Sequence, residues 1–123
     1  MAVLLALAAC VQPPERERAE VAPVVAEVTA YCPCRVCCGP KKRGWRGITA
    51  SGARAAEGRT IAADLEVWPR WTCLDVEGVG RRIVEDRGRA IKGLRLDVYF
   101  ARHEDARVFG RKRLKVRLCE GGR

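Results

Sequence analysis

Two groups of side chains in this chain have types and spacings that can do chemistry. The first is sulfur. The stretch Tyr31-Cys-Pro-Cys-Arg-Val-Cys-Cys-Gly39 crowds Cys32, Cys34, Cys37 and Cys38 together, while Cys73 and Cys119 stand far along the chain. Thiols at that density either close disulfides or bind a soft metal ion. The second is carboxylate. Asp97 sits inside an alternating run in which Leu94, Leu96, Val98 and Phe100 share one face and Arg95, Asp97 and Tyr99 the other. Aspartate is a poor strand former, so a mid-strand position raises a functional reading beside the plain one of a solvent-facing side chain. The single histidine, His103, narrows the mechanisms further. A Ser-His-Asp triad would have to use it, and a metal site with two histidines is excluded. By its place in a short helical stretch His103 itself reads as a surface residue.

Six cysteines follow Cys10, and in an exported chain an even number reads first as disulfides. Adjacent Cys37 and Cys38 are poor partners for each other, because a bridge between neighbours strains the peptide. The expectation is pairing inside the cluster, with Cys73 joined to Cys119 over a long loop. The alternative is a structural zinc ion on the Cys32–Cys38 cluster, where four sulfurs satisfy a tetrahedral metal. Against that, C-x-C-x-x-C-C is tighter than a pair of C-x-x-C knuckles. Either way the cysteines read as structural.

The compartment is read from the first residues. Ala2 to Ala9 are all small or apolar and lead into Leu7-Ala8-Ala9-Cys10, a string like the lipobox of bacterial lipoproteins. Nothing basic precedes the apolar run, although export signals ordinarily carry a positive start. The run is too short to cross a bilayer, which takes about 20 residues. Residues 1–9 therefore read as a signal peptide, with Cys10 lipidated. Residues 11–23, with Pro13-Pro14 and Glu15-Arg16-Glu17-Arg18, gain little by packing and read as a solvated tether. The expected location is extracytoplasmic and membrane-anchored. The chain carries 24 basic and 15 acidic residues, a net +9 that favours an anionic partner without naming one.

From Val24 to residue 120 the pattern is one of short alternating runs. Strands are expected at Val24–Tyr31, Thr60–Ala63, Trp71–Val76, Arg81–Glu85, Leu94–Phe100 and Leu114–Leu118. Glu77-Gly78-Val79-Gly80 turns a hairpin, and a short helix lies between Arg102 and Phe109, stopped by Gly110. Short strands with glycine-rich turns in about 100 residues favour an all-β fold closed into a small barrel, since open edges invite pairing with other chains.

Four motifs in order then carry a family resemblance: Gly47-Ile-Thr-Ala-Ser-Gly52, Glu57-Gly-Arg-Thr-Ile-Ala-Ala-Asp64, Glu85-Asp-Arg-Gly-Arg-Ala-Ile-Lys-Gly93 and Arg95-Leu-Asp-Val-Tyr-Phe100. The region from 28 to 118 resembles the 3D domain, named for three aspartates, of peptidoglycan-acting proteins. The cysteine-rich opening resembles one branch of that family. The resemblance implies a six-stranded double-psi β-barrel with one or two short helices, akin to the barrels of membrane-bound lytic transglycosylase A and rare lipoprotein A. It puts the three family aspartates on Asp64, Asp86 and Asp97 and the family lysine on Lys92, with Thr49 and Ser51 lining the cleft. Where the family reads D-T-G-G-A-I-K-G, this chain has Arg87 and Arg89. Arg89 replaces a glycine, so strain is expected if the backbone there needs positive φ, and its cation is available to substrate carboxylates.

The activity implied is lytic cleavage of MurNAc–GlcNAc bonds in peptidoglycan strands, with 1,6-anhydro-MurNAc formed. Asp97 is the acid and base, Asp86 and Asp64 its supports, and no cofactor is needed. A non-catalytic peptidoglycan-binding barrel is the first alternative, fed by the Arg89 departure. A zinc- and nucleic-acid-binding module is the second, on the cysteine cluster, Lys41-Lys42-Arg43 and Arg111-Lys112-Arg113. The lipobox and the absence of paired knuckles argue against nucleic acid. Trp45, Trp68 and Trp71 read equally as sugar-stacking or core residues.

Overall fold

The computed structural model describes residues 22–34, 37 and 47–120. The expected signal peptide, Cys10, residues 11–21 of the expected tether, Cys38, Lys41–Arg43 and Trp45 lie outside the described residues. Six strands form: β1 (Val24–Tyr31), β2 (Thr60–Ala63), β3 (Cys73–Val76), β4 (Gly80–Asp86), β5 (Arg95–Tyr99) and β6 (Lys112–Leu118), with one helix, α1 (His103–Phe109), between β5 and β6. They close into a barrel in the order β1-β5-β2-β4-β3-β6. Strand β6 returns antiparallel to β1. The neighbours β1/β5 and β2/β4 run parallel and the other pairs antiparallel. Closure leaves no strand edge among the six open to another chain.

The barrel is filled by branched aliphatics rather than aromatics. Val28, Ile61, Leu74, Val84, Leu96 and Val98 are completely buried and form one cluster. Their alternation with polar neighbours is what fixes each strand's register, because a slip of one residue would turn the whole apolar set outward. Trp68 joins this cluster, whereas Trp71 is 54% exposed. The expected strand from Trp71 is shortened at its start. Trp71 takes up φ 74° in a turn where Thr72 donates to the Pro69 carbonyl, and pairing begins at Cys73. Helix α1 starts one residue later than Arg102, which serves as its cap, and ends where Gly110 takes φ 68°. Among the described residues, no helix is long and apolar enough to cross a membrane.

Cys73 and Cys119 are joined by a disulfide spanning 46 residues, which ties β3 to the end of β6. Cross-linking restricts the unfolded chain most when the closed loop is long. The double variant Cys73→Ala/Cys119→Ala is expected to keep the fold and to unfold at lower urea, with a loss of roughly 4 kcal/mol for a loop of this size. A midpoint unchanged in equilibrium denaturation would show that the bridge adds nothing.

Candidate active site

The outer wall of the barrel assembles the site. Asp97 of β5 pairs with Thr29 of β1 on one side and with Ala62 of β2 on the other. Ala62 in turn pairs with Asp86 of β4, after a register shift between Ile61 and Ala62. Thr29, Asp97, Ala62 and Asp86 thus form one row across four neighbouring strands. Their chain neighbours Val28, Leu96, Val98 and Ile61 point into the barrel, so alternation turns the row outward. Two residues further along, Tyr31 pairs with Tyr99, their rings edge to face at 5.5 Å. With Ala55, Ala62 and the half-buried Cys37 these rings make a second apolar cluster on the outer wall.

The three aspartates are held differently. Asp86 is buried and accepts three hydrogen bonds: from the Tyr31 hydroxyl at 3.0 Å, the Ala50 amide at 3.1 Å and the Arg87 amide at 2.9 Å. Asp64 lies just beyond β2 and accepts from the Gly93 amide at 2.8 Å and the Glu66 amide at 3.1 Å. These two amides, the Gly93 bond first, hold its carboxyl below the ordinary value, and the Lys92 charge adds to the effect. Asp97 accepts from the Thr29 hydroxyl at 3.0 Å. Burial raises its carboxyl to about 6, the Asp86 charge pushing the same way while Thr29 and Arg95 oppose. The wall therefore brings Asp97 and Asp86 into electrostatic contact, whereas Asp64 is spent on the turn that carries Lys92.

Thr49 and Ser51 lie in a loop packed over the Asp86 end of the row. Their hydroxyls are 2.7 Å apart, Thr49 also donates to the Ala53 carbonyl, and Ser51 accepts from the Ala53 amide. These bonds shape the loop so that the Ala50 amide reaches Asp86. Glu85, which the sequence reading passed over, anchors the same loop from below. It is buried, takes bonds from Thr60 at 2.7 Å and Arg59 at 2.9 Å, and its carbonyl accepts from the Ser51 amide. Thr29 and Tyr31 were also missed. Both stand in an ordinary alternating strand, and only strand pairing reveals what they face.

Arg89 corrects an expectation. Among the described residues Trp71 is the one non-glycine with positive φ, so Arg89 carries no left-handed strain. The constraint falls on its neighbours: Gly93 takes φ +64°, and a Cβ on Gly88 would come within 3.0 Å of Ile91. Arg89 and Lys92 are exposed.

Of the cysteine cluster, Cys32, Cys34 and Cys37 are described. The Cys32 sulfur lies 3.0 Å from that of Cys34 and 3.5 Å from that of Cys37, beyond the length of a disulfide bond. Cys32 is therefore bridged to neither Cys34 nor Cys37. His103, read as a surface residue, points its Nδ1 at all three, 3.3–3.6 Å from each sulfur.

With the barrel and its carboxylates in view, the likeness to known proteins has a structural meaning. The sequence profile of the 3D domain matches residues 59–120. This chain belongs to the 3D domain family. The putative cell wall shaping protein YabE of Bacillus subtilis is 36% identical over 78 residues, which make up 61% of this chain and 19% of YabE. The cell wall-binding protein YocH of the same organism is 35% identical over 78 residues, 61% of this chain and 27% of YocH. The 3D domain protein thus spans a small part of the length of these relatives. Among solved structures, MltA from E. coli, including its form with bound chitohexaose, superposes with a TM-score of 0.50 and 21% identity. The match covers 57% of this chain and 26% of MltA, and it is a likeness of fold.

The Asp97 environment predicts a pH-dependent stability. Its folded pKa, about 6, lies above the ordinary 3.8. The folded state therefore gains from the bound proton below the ordinary value, and that gain is lost as pH rises through about 6. Asp97→Asn cannot ionise and still accepts from Thr29. It is expected to be more stable than the unsubstituted chain at pH 8, by on the order of 2 kcal/mol, and to match it near pH 3. Parallel stability curves from urea denaturation across this range would contradict the assignment.

Proposed function

We propose that this 3D domain protein is a peptidoglycan lytic transglycosylase in which Asp97 is both acid and base. The observation that carries the reading is a half-buried carboxyl on the outer wall whose pKa is raised to about 6. Breaking a glycosidic bond needs a proton delivered to the leaving oxygen while positive charge builds on the sugar. A carboxyl that keeps its proton to about pH 6 can deliver it. The C6 hydroxyl of the MurNAc residue then attacks C1, and the Asp97 carboxylate takes that hydroxyl's proton as the 1,6-anhydro ring closes. The acid is regenerated and no water is consumed, so a single carboxylate suffices.

Asp86 is the electrostatic partner in this scheme. Burial is the main cause that raises the Asp97 carboxyl; the Asp86 charge adds to it and offsets the developing oxocarbenium ion. Asp64 holds the Gly93 turn and so places Lys92, which with exposed Arg89 is a cation for the carboxylates of the wall polymer. The net charge of +9 acts in the same direction. The relatives' names, cell wall shaping and cell wall-binding, and the shared barrel of MltA support a wall polymer as substrate. The reading extends to an extracytoplasmic location, with Cys10 as lipid anchor and residues 11–23 as the reach from membrane to wall. Glycan strands are the partner and nucleic acid is not. No cofactor takes part in the bond cleavage.

Purified sacculi digested with the full chain are expected to release anhydro-muropeptides, identified by mass, and Asp97→Asn to release none. Activity should fall as pH rises through about 6, because the reaction starts from protonated Asp97. Products with reducing ends would mean hydrolysis instead. Tight sacculus binding without soluble products would make the protein a binding barrel.

A further inference from the structure

We propose that Cys32, Cys34, Cys37 and His103 form a structural zinc site that clamps together the segments leaving β1 and β5. The four ligand atoms lie within 4.8 Å of one another. A tetrahedral zinc ion with ordinary bond lengths sets sulfurs roughly 3.8 Å apart and a sulfur and an imidazole nitrogen roughly 3.6 Å apart. The Nδ1 of His103 stands 3.6, 3.3 and 3.5 Å from the sulfurs of Cys32, Cys34 and Cys37. The Cys32–Cys37 sulfur distance is 3.5 Å and the Cys32–Cys34 distance 3.0 Å, so a modest opening of the latter completes the polyhedron.

Three further features favour a metal over disulfides. A nitrogen nearly equidistant from three sulfurs has no part in a disulfide, but it is the fourth ligand of a Cys₃His site. The Cys37 amide lies 3.4 Å from the Cys34 sulfur and points its hydrogen at it, an outer-shell bond of the kind that orients metal-bound ligands. A closed set of three sulfurs and one imidazole leaves no open position, which makes the site structural and selects a tetrahedral metal such as zinc over hard cations.

The placement gives the site its consequence. Cys32 follows Tyr31, the last residue of β1, and the Phe100 amide donates to the Tyr31 carbonyl just past β5. His103 opens α1 three residues later. A metal at this point would join the ends of the two parallel strands that carry Thr29, Tyr31 and Asp97. The histidine ligand comes from far along the chain, so cysteine spacing by itself does not reveal the set. This inference is independent of the transglycosylase reading.

The test is metal analysis of the full chain produced with zinc in the medium, joined to mass mapping of its thiols. One zinc per chain is expected, and cobalt in its place should show the intense visible bands of a tetrahedral thiolate-bound ion. His103→Ala should lose most of the zinc, while His103→Cys should retain it with an altered cobalt spectrum, which separates ligation from a general loss of folding. Cys38→Ser should keep full occupancy. A metal-free chain with two of Cys32, Cys34 and Cys37 in a disulfide would overturn the proposal. Full zinc and an unchanged cobalt spectrum in His103→Ala would overturn the ligand set.

Discussion

Strand β5 is bonded along both edges, parallel to β1 and antiparallel to β2, and that double pairing fixes most of what matters here. Leu96 and Val98 must face inward to fill the barrel, so Asp97 between them must face outward. Once β5 lies between β1 and β2, Asp97 has Thr29 on one side and Ala62 on the other. Once β2 lies beside β4, the same Ala62 has Asp86 on its far side. Ala62, between the two carboxylates, is itself buried in the cluster of Tyr31, Ala55 and Tyr99. The apolar core and the acidic site are therefore two faces of one register.

Hydrogen bonding then separates the acids. Asp64 and Asp86 each take two backbone amides, and Asp86 a phenol as well. Amides that donate to a carboxylate favour its charged form, which is the direction found at Asp64. Asp97 has the Thr29 hydroxyl and a partly desolvated position between Thr29 and Ala62. Burial prevails there and the proton is held more tightly. Three residues of one type, within one small domain, thus stand among different donors.

The same two strands that hold the acid also lead to the sulfur cluster. Strands β1 and β5 run parallel, so both exit at one end, and the segments that follow them meet. That is why Cys32 and His103 come together although 71 residues separate them. The barrel is braced elsewhere by the Cys73–Cys119 bridge between β3 and β6. The acid row, across β1, β5, β2 and β4, lies away from that bridge in the barrel order.

The sequence alone determined the strands, because alternation of branched aliphatics with polar residues is a local property that each segment carries by itself. It also carried the family, through motifs whose order survives in the chain. It left Trp68 and Trp71 alike, read His103 as surface and put strain on Arg89. Only the tertiary structure decided those points. Which neighbour a strand acquires, how many amides a carboxylate collects and whether a histidine meets three sulfurs are set by contacts between residues tens of positions apart. No local pattern encodes the desolvation that raises Asp97, because the groups that bury it come from strands elsewhere in the chain.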